Sequence, residues 1–276
     1  MRSYCLTSQT LMKFLISLLA LAGLLYLAVC VLLYFKQERL LFFPEKLASN
    51  YRFPFKGSFQ ERWVEATDGT RLHGLLFLAD SSKGLLFYLH GNGGALDSWG
   101  EVASVYTQLG YDVFLLDYRG YGKSGGQIQS QTQFLGDVET AYQQLLAEYP
   151  ESRVVLLGYS LGTGAAAWLA AHHQPKLLIL QAPYPSMRAM ARHYYFWIPG
   201  FIVRYPLATD QVLPRVKAPV IVFHGDQDEI IDYQLTLQLK AALKPQDQFI
   251  TLKGAGHNNM TNNAVYQETV QRILSR

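Results

Sequence analysis

The sequence predicts an α/β fold: a mostly parallel, eight-stranded sheet with helices on both faces, preceded by one membrane-spanning helix. Three observations carry that prediction. An uncharged apolar run of 22 residues, Phe14–Phe35, stands near the N-terminus. From about residue 60 onward, short apolar runs alternate with longer helical stretches. Five of those short runs lead into loops that carry Gly with His, Asp or Ser, as strands do when their C-terminal loops hold functional groups.

Composition sets the bounds. The chain has 276 residues, 50% hydrophobic and 16% charged. That much apolar material excludes a disordered chain. The length beyond the N-terminal region suits one large domain, residues 59–276, better than two. The net charge is 24 − 21 = +3 with no long basic run, so no nucleic-acid partner is expected. Cys5 and Cys30 are the only cysteines. The body of the chain therefore holds neither a disulfide framework nor a cysteine-based zinc site.

The N-terminal run comes first in chain order. As a helix its 22 residues would span about 33 Å, close to the thickness of a bilayer's hydrocarbon core. Fourteen of them are Leu, Ile, Val or Phe, each worth about −0.3 to −0.6 kcal/mol on insertion. The run exceeds the apolar core of a cleaved signal peptide, about 7–15 residues. Residues 1–35 thus read as a short stub and a single-pass anchor, with 14–35 in the membrane. Arg2 and Lys13 on one side balance Lys36, Arg39, Lys46 and Arg52 on the other, so the positive-inside rule sets no orientation. Residues 36–58 read as a juxtamembrane linker. Its Phe42, Phe43, Tyr51, Phe53 and Phe55, set among Lys and Arg, suit a membrane interface or packing on the domain equally.

Arg62–Ala66 and Leu72–Ala79 read as strands joined by the turn at Asp68-Gly69. Gly84–His90, Tyr111–Tyr118, Arg153–Gly158, Leu177–Gln181, Pro219–His224 and Gln248–Leu252 read as buried strands. Helices are expected over about 96–109, 132–148, 161–173, 232–243 and 261–275. Pro150 and Pro175 follow two of them as stop signals. An antiparallel start followed by strand–helix alternation implies the mostly parallel sheet.

The strand ends hold the chemistry. Gly158-Tyr159-Ser160-Leu161-Gly162 joins an apolar strand directly to a helix. A strand that turns straight into a helix forces its central residue into a strained conformation, and glycines on both sides leave room for it. The Ser160 hydroxyl is then presented at a helix N-terminus, where free N–H groups favour negative charge. A serine hydroxyl needs a base. In a fold of this order the acid and then the histidine follow the serine, and His257 is the histidine left after the acid loop. Asp210, Asp226, Asp228, Glu229, Asp232 and Asp247 are the candidate acids. Spacing from the strand end favours Asp228 over Asp226, which suits capping the turn's own N–H groups. An oxyanion hole needs two aimed N–H donors. Leu161, directly after Ser160, offers one, and Asn92, directly after His90-Gly91, offers the second. His90 itself reads as structural.

Other patterns carry less. Gly122-Lys123-Ser124 is no phosphate loop, because Asp117 stands where the first glycine is required. His172 and His173 are adjacent and cannot share a helical face, which argues against a metal site. Asp117 and Arg119 read as loop-holding residues.

In order along the chain, His90-Gly91-Asn92-Gly93, Asp117-Tyr118-Arg119-Gly120-Tyr121-Gly122-Lys123-Ser124, Gly158-Tyr159-Ser160-Leu161-Gly162, His224-Gly225-Asp226-Gln227-Asp228 and Gly256-His257 resemble the α/β-hydrolase fold family over about Trp63–Leu274. The resemblance is greatest to its single-pass, membrane-anchored group related to the yeast bud-emergence protein and to eukaryotic protein depalmitoylases. It implies Ser160, Asp228 and His257 as a triad, a lipid-like ester or thioester substrate, and no metal or organic cofactor. It places a small helical cap at about 183–217. Serine at the turn, rather than aspartate, argues against dehalogenase or epoxide-hydrolase chemistry.

The expected reaction is acyl transfer to water through an acyl-enzyme. A serine peptidase or aminopeptidase would use the same triad, and a non-catalytic membrane-associated scaffold is the rival of a different class. In the cap, Tyr184, Met187, Met190, Tyr194, Tyr195, Phe196, Trp197, Ile198, Phe201 and Ile202 are too apolar for a solvated loop. They suit an acyl pocket beside the membrane or a small cap core.

Overall fold

The computed structural model describes residues 8–275. Arg2 and Cys5 lie outside the described residues. In chain order the elements are helix α1 (Ser8–Phe35), α2 (Gln37–Leu41), β1 (Phe43–Pro44), β2 (Phe59–Glu65), β3 (Arg71–Phe77), β4 (Leu85–Leu89), β5 (Gly93–Gly94), α3 (Leu96–Trp99), α4 (Ala103–Thr107), β6 (Asp112–Leu116) and α5 (Gln131–Leu146). Then come β7 (Val154–Tyr159), α6 (Leu161–His172), β8 (Leu177–Gln181), α7 (Met187–Tyr194), α8 (Thr209–Val212), β9 (Val220–Gly225), α9 (Tyr233–Leu237), β10 (Gln248–Leu252) and α10 (Ala264–Leu274).

Eight strands form one sheet in the order β10-β9-β8-β7-β4-β6-β3-β2. Only β3 runs against its neighbours; every other pairing is parallel. Side chains alternate across a strand, and here both faces are covered. Leu85, Phe87 and Leu89 join the core with α5 and α6, while Leu86 and Tyr88 join the core with α4 and α10. That double burial is why the central strands read as unbroken apolar runs. Strand order reverses around β4, so a crevice opens beyond the C-terminal ends of β4 and β7.

Two expected helices are broken. That over 232–243 is broken into α9 and a 3-10 turn at Gln238–Ala242. The helix expected over 96–109 is two short helices joined by a 3-10 turn at Gly100–Val102, where any side chain on Gly100 would collide with the Phe55 ring. The stretch 36–58 is packed onto the domain. Phe42 and Phe53 are buried in the two cores, and β1 pairs in parallel with β5, Phe43 opposite Gly93 and Pro44 opposite Gly94. Phe43 remains exposed. α1 is long and apolar enough to cross a membrane.

Candidate active site

The site is assembled from loops at the ends of β4, β7, β9 and β10. Ser160 stands between β7 and α6 with φ +49° and ψ −117°, a conformation that costs a non-glycine residue about 1–3 kcal/mol. The surroundings impose it. A Cβ on Gly158 would sit 2.6 Å from the Gly162 carbonyl and from the Thr163 Cα, and one on Gly162 would run into the Leu89 carbonyl. Only glycine lets the turn pack this closely against β4. The Ser160 N–H donates to the Gln181 carbonyl (2.9 Å), and the Ser160 carbonyl accepts from the Thr163 N–H and hydroxyl (2.9 and 2.6 Å).

His257 lies with Nε2 3.1 Å from Ser160 Oγ and Nδ1 2.8 Å from Asp228 Oδ2, 97 and 29 residues away along the chain. All three residues are buried. Asp228 Oδ1 accepts from the Ile230 and Ile231 N–H groups (2.9 and 2.8 Å). Burial would raise the Asp228 carboxyl, but hydrogen bonds from His224, His257 and the Ile231 N–H outweigh it and hold the group well below the usual carboxylate range. Asp228 is therefore an anion facing Nδ1, which fixes the tautomer that leaves Nε2 free to accept from the serine. Asp226 takes a different part. Its Oδ1 accepts from the Gly254 N–H at 2.7 Å, stitching the β9 loop to the β10 loop.

The two expected backbone donors stand apart in the chain, Asn92 after β4 and Leu161 at the start of α6. Asn92, Ser160 and Leu161 all line one cavity of about 640 Å³, together with residues of the cap and of α1 and α2. The peptide joining Gly91 to Asn92 is clamped. His90 Nδ1 donates to the Gly91 carbonyl at 2.7 Å. In a planar trans peptide the N–H points opposite the carbonyl, so this bond also aims the Asn92 N–H. Burial pushes His90 below the ordinary histidine range, against the pull of the Asp117 charge, so the ring is neutral and carries its proton on Nδ1. The next carbonyl, that of Asn92, accepts from the Phe43 N–H (2.8 Å) and the Tyr121 hydroxyl (2.7 Å). Strand β1 thus straps the loop in place.

Sequence reasoning missed four contributors. His224 Nε2 lies 3.2 Å from Asp228 Oδ2 and 3.0 Å from the Ile231 carbonyl. Glu229 Oε2 accepts from the His257 N–H at 3.1 Å, and the Tyr159 hydroxyl donates to the His257 carbonyl. Phe43, in the strap, is the fourth. The first three lie within or beside the motifs, and that position is the signal that could have found them; Phe43 pairs across 50 residues and nothing nearby marks it. Among residues with no expected part in the chemistry, Arg119 pairs with Asp137 and Asp68, and Ser124 donates to the Asp117 carbonyl. His173 meets Glu139 and Glu151. Among the described residues no cluster of ligating side chains could hold a metal.

Comparison with known proteins agrees with this architecture. A family model described as serine aminopeptidase, S33 matches residues 80–208. Human alpha/beta hydrolase domain-containing protein 17C is 32% identical over 209 residues, covering 71% of this chain and 60% of that protein. The chain belongs to the α/β-hydrolase family. An uncharacterised protein of Mycobacterium tuberculosis is 28% identical to this hydrolase over 265 residues, covering 93% of each chain. Among solved structures, an esterase of Pyrococcus furiosus superposes with a TM-score of 0.68 at 18% identity, covering 86% of this hydrolase and 97% of the esterase. At that identity the likeness is one of fold.

The cap divides its apolar residues. Met187, Met190, Tyr194, Tyr195, Trp197 and Ile198 face the cavity, as do Tyr184 and Ile202. Phe196 and Phe201 do not, and are 84% and 83% exposed.

Proposed function

We propose that this α/β hydrolase is a membrane-anchored serine esterase or thioesterase acting on lipid-like acyl substrates. The observation that carries the proposal is the unbroken hydrogen-bonded line from Asp228 through His257 to Ser160 at the floor of an apolar cavity. Ser160 Oγ attacks the acyl carbonyl as His257 Nε2 takes its proton. The Asn92 and Leu161 N–H groups receive the oxyanion. Collapse releases the alcohol or thiol, which takes the proton back from His257, and an acyl-Ser160 ester remains. Water then repeats the sequence and releases the carboxylic acid. The side chains of Met187, Met190 and Ile198 suit an alkyl chain. The long apolar helix α1 supports the anchor. The acyl chemistry asks for no cofactor.

A second reading has one observation in its favour, the aminopeptidase description of the matching family. It would use the same nucleophile on an amide. One experiment addresses both. Purified protein is assayed on p-nitrophenyl esters of graded length, acyl thioesters and aminoacyl amides, beside Ser160→Ala. Ester or thioester turnover that vanishes in Ser160→Ala is the expected result. Turnover confined to amides favours the peptidase. Turnover that survives Ser160→Ala refutes the nucleophile, and failure of a fluorophosphonate probe to label Ser160 favours a non-catalytic scaffold.

A further inference from the structure

The anchor helix is built into the wall of the cavity. Tyr26 donates from its hydroxyl to the Trp197 carbonyl at 2.8 Å. Gln37 brackets the other end of the same cap segment, donating to the Ile202 carbonyl (3.0 Å) and accepting from the Arg204 N–H (2.7 Å). Beside it Glu38 takes the Arg204 guanidinium at 2.6 Å and the Tyr205 hydroxyl at 2.8 Å. Within α1, Tyr26, Cys30 and Leu33 succeed one another at spacings of four and three, so they lie on one helical face. Cys30 is the one residue of α1 that is buried among the described residues, and Leu33 lines the cavity.

Depth is set by helix geometry. The uncharged run ends at Phe35, and Lys36, Glu38 and Arg39 come after it. Tyr26 lies nine residues earlier, about 14 Å back along the axis. One headgroup layer of a bilayer is only about 5–8 Å thick. If α1 crosses a membrane, the Trp197 segment hangs below the headgroups, inside the hydrocarbon. Phe196, beside Trp197, then lies in the hydrocarbon, and Phe201, beside the Ile202 that Gln37 holds, lies at the headgroup boundary; both rings face away from the protein. Lys36 and Arg39, both exposed, fall at the level where headgroups would be.

We propose that the cap is a second, monotopic membrane contact, and that the cavity opens between it and the anchor into the bilayer. The substrate class is then an acyl chain resident in the membrane. It reaches Ser160 sideways, past Leu33 of the anchor, Leu40 of α2, and Trp197 and Ile198 of the cap, without crossing water. This rests on Ser160 being the nucleophile, but its first test does not.

The full chain is placed in phosphatidylcholine nanodiscs whose acyl chains carry bromine, and tryptophan fluorescence is compared with that in unbrominated discs. Trp63, Trp99, Trp168 and Trp197 are the only tryptophans. Quenching that is largely lost in Trp197→Phe is expected; quenching that is unchanged, or absent, overturns the immersed cap. The second arm uses Phe196→Asp combined with Phe201→Asp. Turnover of water-soluble p-nitrophenyl butyrate is expected to stay within twofold of wild type, while turnover of a palmitoyl thioester embedded in the same discs falls at least tenfold. An equal change on both substrates overturns lateral entry, as does wild-type activity on the soluble ester alone. If wild type cleaves neither substrate, the esterase reading fails and lateral entry with it, while the fluorescence still decides where the cap sits.

Discussion

Replacing His90 with alanine removes the clamp on the Gly91–Asn92 peptide. The imidazole holds the Gly91 carbonyl at 2.7 Å and is itself gripped, stacked on Trp99 and tilted against Tyr118, with no polar partner on Nε2. Losing one oxyanion donor outright costs about 10²–10³ in kcat, or about 2.7–4 kcal/mol. His90→Ala should fall short of that ceiling, because the next carbonyl stays tied to Phe43 and Tyr121. A loss of about tenfold to a hundredfold in kcat is expected, about 1.4–2.8 kcal/mol. KM for a short ester should barely move, since the donor acts mainly as charge develops. His90→Asn, which keeps an N–H donor near the Nδ1 position, should recover most of the rate. The assay is steady-state hydrolysis of p-nitrophenyl butyrate, with circular dichroism to confirm the fold. A folded His90→Ala protein with kcat within twofold of wild type would refute the clamp.

Three further outcomes are expected from the same geometry. Asp228→Asn should lower kcat by about 10⁴, because an amide that donates to Nδ1 turns the tautomer and leaves Nε2 unable to accept the serine proton; a drop under tenfold in ester turnover would contradict the assignment. Gly162→Ala drives a methyl group into the Leu89 carbonyl and should destabilise by about 3 kcal/mol, read as a shift in the urea midpoint, whereas an unshifted midpoint would mean the turn has slack. His90 should make stability pH-dependent. Its folded pKa lies below the unfolded value of about 6.5, so the neutral ring's contribution is full above that pH and is lost as pH falls through the folded value. The melting temperature of wild type minus that of His90→Asn should therefore shrink between pH 8 and pH 5, and a flat difference would count against a neutral buried ring.

What the sequence by itself determined is local. Continuous apolar runs mark strands buried on both faces, because period and burial act residue by residue. The glycines around Ser160 mark a turn, because a missing Cβ is a steric fact legible without neighbours. The uncharged run from Phe14 to Phe35 marks a helix suited to lipid for the same reason. Tertiary structure alone decided what depends on distant meetings. It brought Asp228 to His257 and set Asp226 against the Gly254 N–H, contacts that the strand-end spacing favouring Asp228 does not itself make. It turned the stretch around Phe43 into a strap on the Asn92 loop. It also split one apolar cap segment into cavity wall and outward-facing Phe196 and Phe201. Tyr26 and Trp197 are 171 residues apart, as Gln37 and Ile202 are 165. A cavity wall is a sum of such pairs, and no window of neighbouring residues contains both members of any of them.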